Sequence, residues 1–132
     1  MKVLKDLNSR KDIELLVNTF YAKIKEDKIL GYIFNESIQD KWPIHLKKLA
    51  DFWESILFDV PKYTGRPGFK HLVVDANFKN IINENHFNQW LAIWHQTCNE
   101  LFEGDRIEEA KLRATKIGEA QLNHIKINRF KR

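Results

Sequence analysis

The sequence predicts an all-α fold, and three observations carry that prediction. Apolar residues recur at helical spacing in four separate stretches. Ser, Asp and Pro stand where those helices would begin. No alternating strand pattern of useful length occurs apart from the short Leu72 to Val74 run.

The first stretch opens at Ser9, with Asp12 three residues on in the manner of a capping box. It continues as Ile13, Leu16, Val17, Phe20 and Ile24, an amphipathic helix to about Glu26. A second helix is expected with Asp40 as its cap and Pro43 in its first turn, where the missing N–H costs nothing. Trp42, Leu46, Leu49, Ala50, Trp53, Ile56 and Leu57 would form its buried face. Between Phe58 and Asn85 the periodicity breaks down, because Pro61, Gly65, Pro67 and Gly68 forbid a regular helix. Helical spacing returns with Phe87, Trp90, Leu91, Trp94, Cys98, Leu101 and Phe102 and stops at Gly104. Asp105 with Glu108 reads as the capping pair of a last helix through Ile107, Ala110, Ala114, Ile117 and Gln121.

Composition narrows the function classes. At 132 residues the chain is one domain, 1–132, with its core at about 12–125 and a basic tail at 126–132. Hydrophobic residues at 43% make it too apolar for a disordered chain. The lone Cys98 excludes an internal disulfide, a CxxC redox pair and CxxCH haem attachment. Charges interrupt the N-terminus before a signal sequence can form, and no apolar run is long enough to span a bilayer, so a cytoplasmic protein with no membrane partner is expected. From Lys111 to Arg132 seven Lys or Arg face the single acid Glu119. Lys126, Arg129, Lys131 and Arg132 read as a solvated helix end, where cations suit the macrodipole, and no nucleic-acid partner is expected.

The histidines divide by position. His86 at a helix start and His124 near the basic end read as surface residues. His95 and Cys98 have the spacing of half a zinc site, but no second pair of ligands accompanies them. His45 instead points along an apolar helix face, and His71 follows the Gly/Pro-rich stretch. Taken singly, each reads as a hydrogen-bonded structural histidine. Beside the excess of aromatics, Phe20, Tyr21, Phe34, Phe52, Trp53, Trp90 and Trp94, they point to a large flat apolar ligand held by an imidazole, as haem is.

A set of short motifs carries a resemblance. They are Phe20-Tyr21, Leu30-Gly31-Tyr32-Ile33-Phe34, and Trp42-Pro43-Ile44-His45 leading to Phe52-Trp53. Tyr63-Thr64-Gly65-Arg66-Pro67, Lys70-His71-Leu72 and Phe87-Asn88-Gln89-Trp90-Leu91 come next in the chain. The chain resembles a truncated haemoglobin from about residue 12 to 118, and most resembles group III. Where groups I and II usually carry a Gly-Gly pair after the corresponding helix, this chain has Phe58-Asp59. Tyr32 stands where other members usually have Pro, a departure expected to alter only the turn before Phe34.

The resemblance implies an abbreviated globin, a two-over-two helical sandwich enclosing haem b, iron protoporphyrin IX. It implies His71 as the iron ligand and Phe34 as the aromatic against the porphyrin. Tyr21, His45 and Trp90 would line the distal side, with Leu49, Phe52 and Trp53 completing the apolar wall. Arg66, Lys70 or Tyr63 would meet the propionates. The expected partners are O2, NO, CO and cyanide, together with a reductase. A donor-rich distal side favours NO dioxygenation or peroxidase-like chemistry over simple storage. The rival class is a small helical module that binds RNA or a protein through the basic C-terminus, with the tryptophans as ordinary core.

Overall fold

The computed structural model describes residues 3–59 and 83–130, except the side chains of 124, 125 and 128–130. In chain order the described helices are α1 (Arg10–Glu26), α2 (Gly31–Ile38), α3 (Trp42–Phe58), α4 (Glu84–Leu101) and α5 (Asp105–Phe130). A 3-10 turn, Gln39–Lys41, joins α2 to α3. α1 packs on α3, α4 packs on α5, and the two pairs meet through α1 against α4, giving the two-over-two sandwich.

α1 starts as its sequence dictates. The Ser9 hydroxyl accepts from the Asp12 backbone N–H at 3.2 Å. The Asp12 carboxylate does not close the box; it takes the backbone N–H of Asn8 and the Lys5 ammonium instead. Ile13, Leu16, Val17, Phe20 and Ile24 are all fully buried, so the apolar stripe faces the core along the whole helix.

α2 is a helix that periodicity does not reveal, because eight residues give too short a stripe. Its start presses on the end of α1: a Cβ on Gly31 would stand 2.6 Å from the Lys25 carbonyl oxygen, so only glycine fits. Tyr32 lies in the first turn of α2 and faces solvent.

Two expected caps are corrected. Asp40 lies within the 3-10 turn, and α3 begins at Trp42 after Lys41 with no side-chain cap; Pro43 stands in the first turn as expected. α3 ends on Asp59 in the left-handed conformation (φ 56°), which Asp tolerates better than most residues and which glycine would otherwise supply. Asp105 is the first residue of α5 rather than its cap. The Asp6 carboxylate caps that helix, accepting the backbone N–H groups of Arg106 at 2.8 Å and Ile107 at 2.9 Å. Gly104 at φ 145° makes room, since a Cβ there would lie 2.4 Å from the Asp6 side chain.

The N-terminal segment is thereby strapped to the start of α5. Glu103 N–H donates to the Lys5 carbonyl at 2.9 Å, and the Arg106 guanidinium donates to the Leu7 carbonyl at 3.2 Å. The same guanidinium lies 4.5 Å from the Phe58 ring centroid at the end of α3. Across the α1–α3 face, Arg10 donates to Asp51 at 2.6 Å and to Glu54 at 2.8 Å. Glu54 is the buried acid of a face otherwise apolar, and Arg10 offsets its charge there.

Candidate functional site

Tyr21 sits near the end of α1, 5% exposed, and is the residue around which the site is built. Four aromatic rings from three helices surround it. Phe34 of α2 lies 5.9 Å away, Trp42 and His45 of α3 each 5.8 Å, and Phe20 of α1 itself 4.7 Å, between ring centroids. His45 meets both Tyr21 and Trp42 nearly at right angles, and the three rings form a triangle with centroids 5.8 Å apart. From α4, Trp90 hydrogen-bonds to the Tyr21 hydroxyl. Indole nitrogen can only donate, so Trp90 gives its N–H to the phenol oxygen.

Burial raises the Tyr21 pKa above the ordinary phenol value, and the Trp90 hydrogen bond offsets only part of that rise. Tyr21 therefore stays protonated at neutral pH. Its oxygen already accepts from Trp90, so the hydroxyl hydrogen is the part it can offer to a guest.

α4 is set in place by two local devices. Asn83 and His86 form a capping box, with the Asn83 side chain at the helix start and Asn83 N–H donating to His86 Nδ1 at 3.0 Å. His86 is thus a half-buried capping residue, which corrects the expectation of a solvated surface histidine. One residue before Trp90, Gln89 donates to Asp27 at 2.7 Å, and Asp27 also takes the backbone N–H groups of Ile29 and Leu30. A single carboxylate therefore ties the α1–α2 turn to the register of Trp90. Burial opposes its charge, but Gln89 and the backbone donors outweigh it and hold the Asp27 pKa below the usual carboxylate value.

The apolar wall beside these groups is incompletely covered. Phe34, Leu46, Leu49, Phe52, Trp90, Leu91 and Ile117 all remain half-buried where they pack against the core. Gly118 of α5 faces Leu91 and Phe87 of α4. Trp53 differs from its neighbours: it is 3% exposed and stacked on Trp94 at 4.6 Å, so one ring face is committed to the core.

Phe34, His45 and Trp90 are brought together around Tyr21. Tyr63, Arg66, Lys70 and His71 lie outside the described residues, as does the Leu72 to Val74 run. His95 contacts the Thr115 hydroxyl at 3.3 Å, and Cys98 is fully buried, its thiol pushed up to about 12 by burial first of all. Sequence reasoning missed Trp42 as a neighbour of Tyr21, although its place three residues before His45 put both on one helix face.

No protein-family model matches the chain. A group 3 truncated hemoglobin of Campylobacter jejuni, ctb, is 30% identical over 97 residues, which span 71% of this chain and 72% of that protein. The chain belongs to the group III truncated haemoglobins. The crystal structure of the group III truncated hemoglobin from Campylobacter jejuni covers 93% of this chain and 95% of its own, at a TM-score of 0.82 and 26% identity. For this truncated haemoglobin, membership means haem-based binding of diatomic gases. No described helix is long and apolar enough to cross a membrane.

Proposed function

We propose that this truncated haemoglobin holds haem b against the Tyr21 cluster, binds O2, NO and CO there, and works in NO/O2 or peroxide chemistry rather than storage. The observation that carries the reading is the convergence of Tyr21, His45 and Trp90, from three helices, on one spot beside a half-buried apolar wall. A flat macrocycle with an apolar face suits that wall, and a small polar ligand suits the donors beside it. Bound haem supplies an iron with one position open to a diatomic ligand.

The chain's own groups decide how a bound ligand is held. Trp90 fixes the Tyr21 oxygen, which leaves the phenol hydrogen to meet a ligand atom carrying partial negative charge. In a pocket dried by Phe34 and Trp42 such a donor acts more strongly than in water. His45, packed at right angles against both Tyr21 and Trp42, stands where it can gate entry and serve as a further donor. Long retention suits chemistry on the ligand more than rapid delivery, and that chemistry draws its electrons from a reductase. His71 is assigned as the iron's protein ligand, Arg66, Lys70 or Tyr63 as propionate contacts, and Leu49 and Phe52 as apolar wall, with Trp53 buried behind them against Trp94.

The test is spectral. Wild-type protein loaded with haem should show a Soret band. His71→Gly should change the ferrous spectrum, with imidazole in the buffer restoring it. A native spectrum and normal haem affinity in His71→Gly would remove His71 and promote His45. Mixing the oxygenated protein with NO by stopped flow should give rapid loss of the oxygenated spectrum; persistence of both reactants excludes NO chemistry.

A further inference from the structure

A stack of three tryptophans runs from Trp90 in the ligand site into the core behind the Tyr21 cluster. Trp90 is parallel to Trp94, with an interplanar angle of 5° and centroids 6.3 Å apart. Trp94 is in turn stacked on Trp53 at 4.6 Å and 19°. The stack runs from half-buried Trp90, at the ligand site, through fully buried Trp94 on the same helix to Trp53 on α3. Indole is among the side chains that give up an electron most easily, and unlike phenol it can do so without first losing its proton. That matters in a core with few proton acceptors.

We propose that the Trp90–Trp94–Trp53 stack stores one oxidising equivalent when the haem-loaded protein meets hydrogen peroxide. The inference rests on the reading of the protein as a haem carrier. Two electrons and two protons reduce one peroxide molecule to two of water, and the O–O bond breaks. One electron comes from the haem iron and one from the stack, which is left as a tryptophan cation radical. The protons come from solvent. Two one-electron donors of the phenol or ascorbate class then refill both positions, so nothing is consumed but peroxide and donor.

Two features of the stack suit a cation. The close stacking of Trp94 on Trp53 lets the charge spread over two rings instead of resting on one. The Trp94 N–H donates to the Ala110 carbonyl at 3.2 Å, an acceptor that stabilises positive charge on the indole but is too weak a base to remove the proton. Tyr21 is a poorer store, because its buried hydroxyl must lose a proton on oxidation.

The experiment uses the ferric haem-loaded protein mixed with hydrogen peroxide and freeze-quenched for electron paramagnetic resonance, with peptide mass spectrometry of the products. Wild type should give a radical that narrows when ring-deuterated tryptophan is incorporated, and oxygenated tryptophan should map to Trp94 and Trp53. Trp94→Phe cuts the stack in the middle, so oxidation of Trp53 should be lost and the radical should retreat to Trp90 or Tyr21. If Trp94→Phe does not fold, Trp53→Phe serves: the tryptophan radical should persist, with oxygenation confined to Trp94 and Trp90. A wild-type radical on tyrosine alone, or Trp53 oxidation undiminished in Trp94→Phe, overturns the inference while leaving haem binding intact. A protein that develops no Soret band with haem overturns both together.

Discussion

α1 is held at its two ends by different physics. At the start, Arg10 reaches across to Asp51 and Glu54, and Ser9 and Asp12 organise the first turn. At the end, Tyr21 is enclosed by the rings of Phe20, Phe34, Trp42 and His45 and by the Trp90 indole. The charged end fixes where α1 lies on α3, and it does so at part-exposed positions that never approach the ligand site. The aromatic end leaves one polar hydrogen in a dry surround. Stability and ligand chemistry are thus separated along a single helix by about three turns. Changes at one end should move one observable and leave the other nearly still.

The largest effects should come from the aromatic end. A hydrogen bond to a charged acceptor is worth about 1.5 to 3 kcal/mol, which is about ten- to a hundred-fold in a dissociation rate. Tyr21→Phe and Trp90→Phe should each speed O2 release by about that factor, with CO release little changed. Trp90 acts through the Tyr21 oxygen, so the double variant should lose less than the sum of the two. His45→Leu should chiefly alter entry rates. If His45→Leu raises the O2 off-rate more than either of the others, His45 is the principal donor and the assignment to Tyr21 is wrong.

At the charged end, Arg10→Ala should cost about 2 kcal/mol in denaturant unfolding, below the full cost of breaking a buried pair because all three partners keep some contact with solvent. Much of that cost is Glu54 left buried beside Asp51 with no cation. Adding Glu54→Gln to Arg10→Ala should therefore recover part of the loss. O2 release should change by less than about twofold, since no hydrogen bond to the ligand is touched. A tenfold change would show that the two ends are coupled after all.

The division also explains which parts could be read from the sequence. α1 and Pro43 in the first turn of α3 are legible there, because stripes and prolines act within a few residues, whereas α4 ends at Leu101, with Phe102 already extended, before the stop expected at Gly104. Tyr21, His45 and Trp90 are legible through the resemblance and their places on apolar faces. The cap of α5 is not: Asp6 lies 100 residues from Arg106, and Asp105 with Glu108 mimics the local signal without making the bond. Glu54 escapes notice because an acid inside an apolar stripe reads as a break in pattern until its partner, 44 residues away, is in place. The pairing of Trp53 with Trp94 is another property of the fold, since nothing in either stripe says which rings will stack.

The smallest expected effect tests the strap that secures the N-terminal segment. Burial alone would raise the Asp6 pKa, but the backbone N–H groups of Arg106, Ile107 and Leu7, with the Arg106 guanidinium, outweigh it and hold the carboxyl below its ordinary value of 3.8. A carboxyl with a lowered folded-state pKa adds stability that is fully present above the unfolded value and is lost as pH falls through the folded one. Asp6→Ala removes a helix cap, so it should cost about 1 kcal/mol at neutral pH. Asp6→Asn, which keeps a cap oxygen but not the charge, should cost less. Measured against wild type by denaturant unfolding, the Asp6→Asn deficit should hold steady from pH 7 down to about 5 and shrink below about 4, where the wild-type carboxylate takes up its proton. A deficit that does not change with pH would mean that Asp6 works by geometry alone. O2 release should stay at the wild-type rate throughout, because the strap joins α5 to the N-terminal segment and makes no contact with Tyr21 or Trp90.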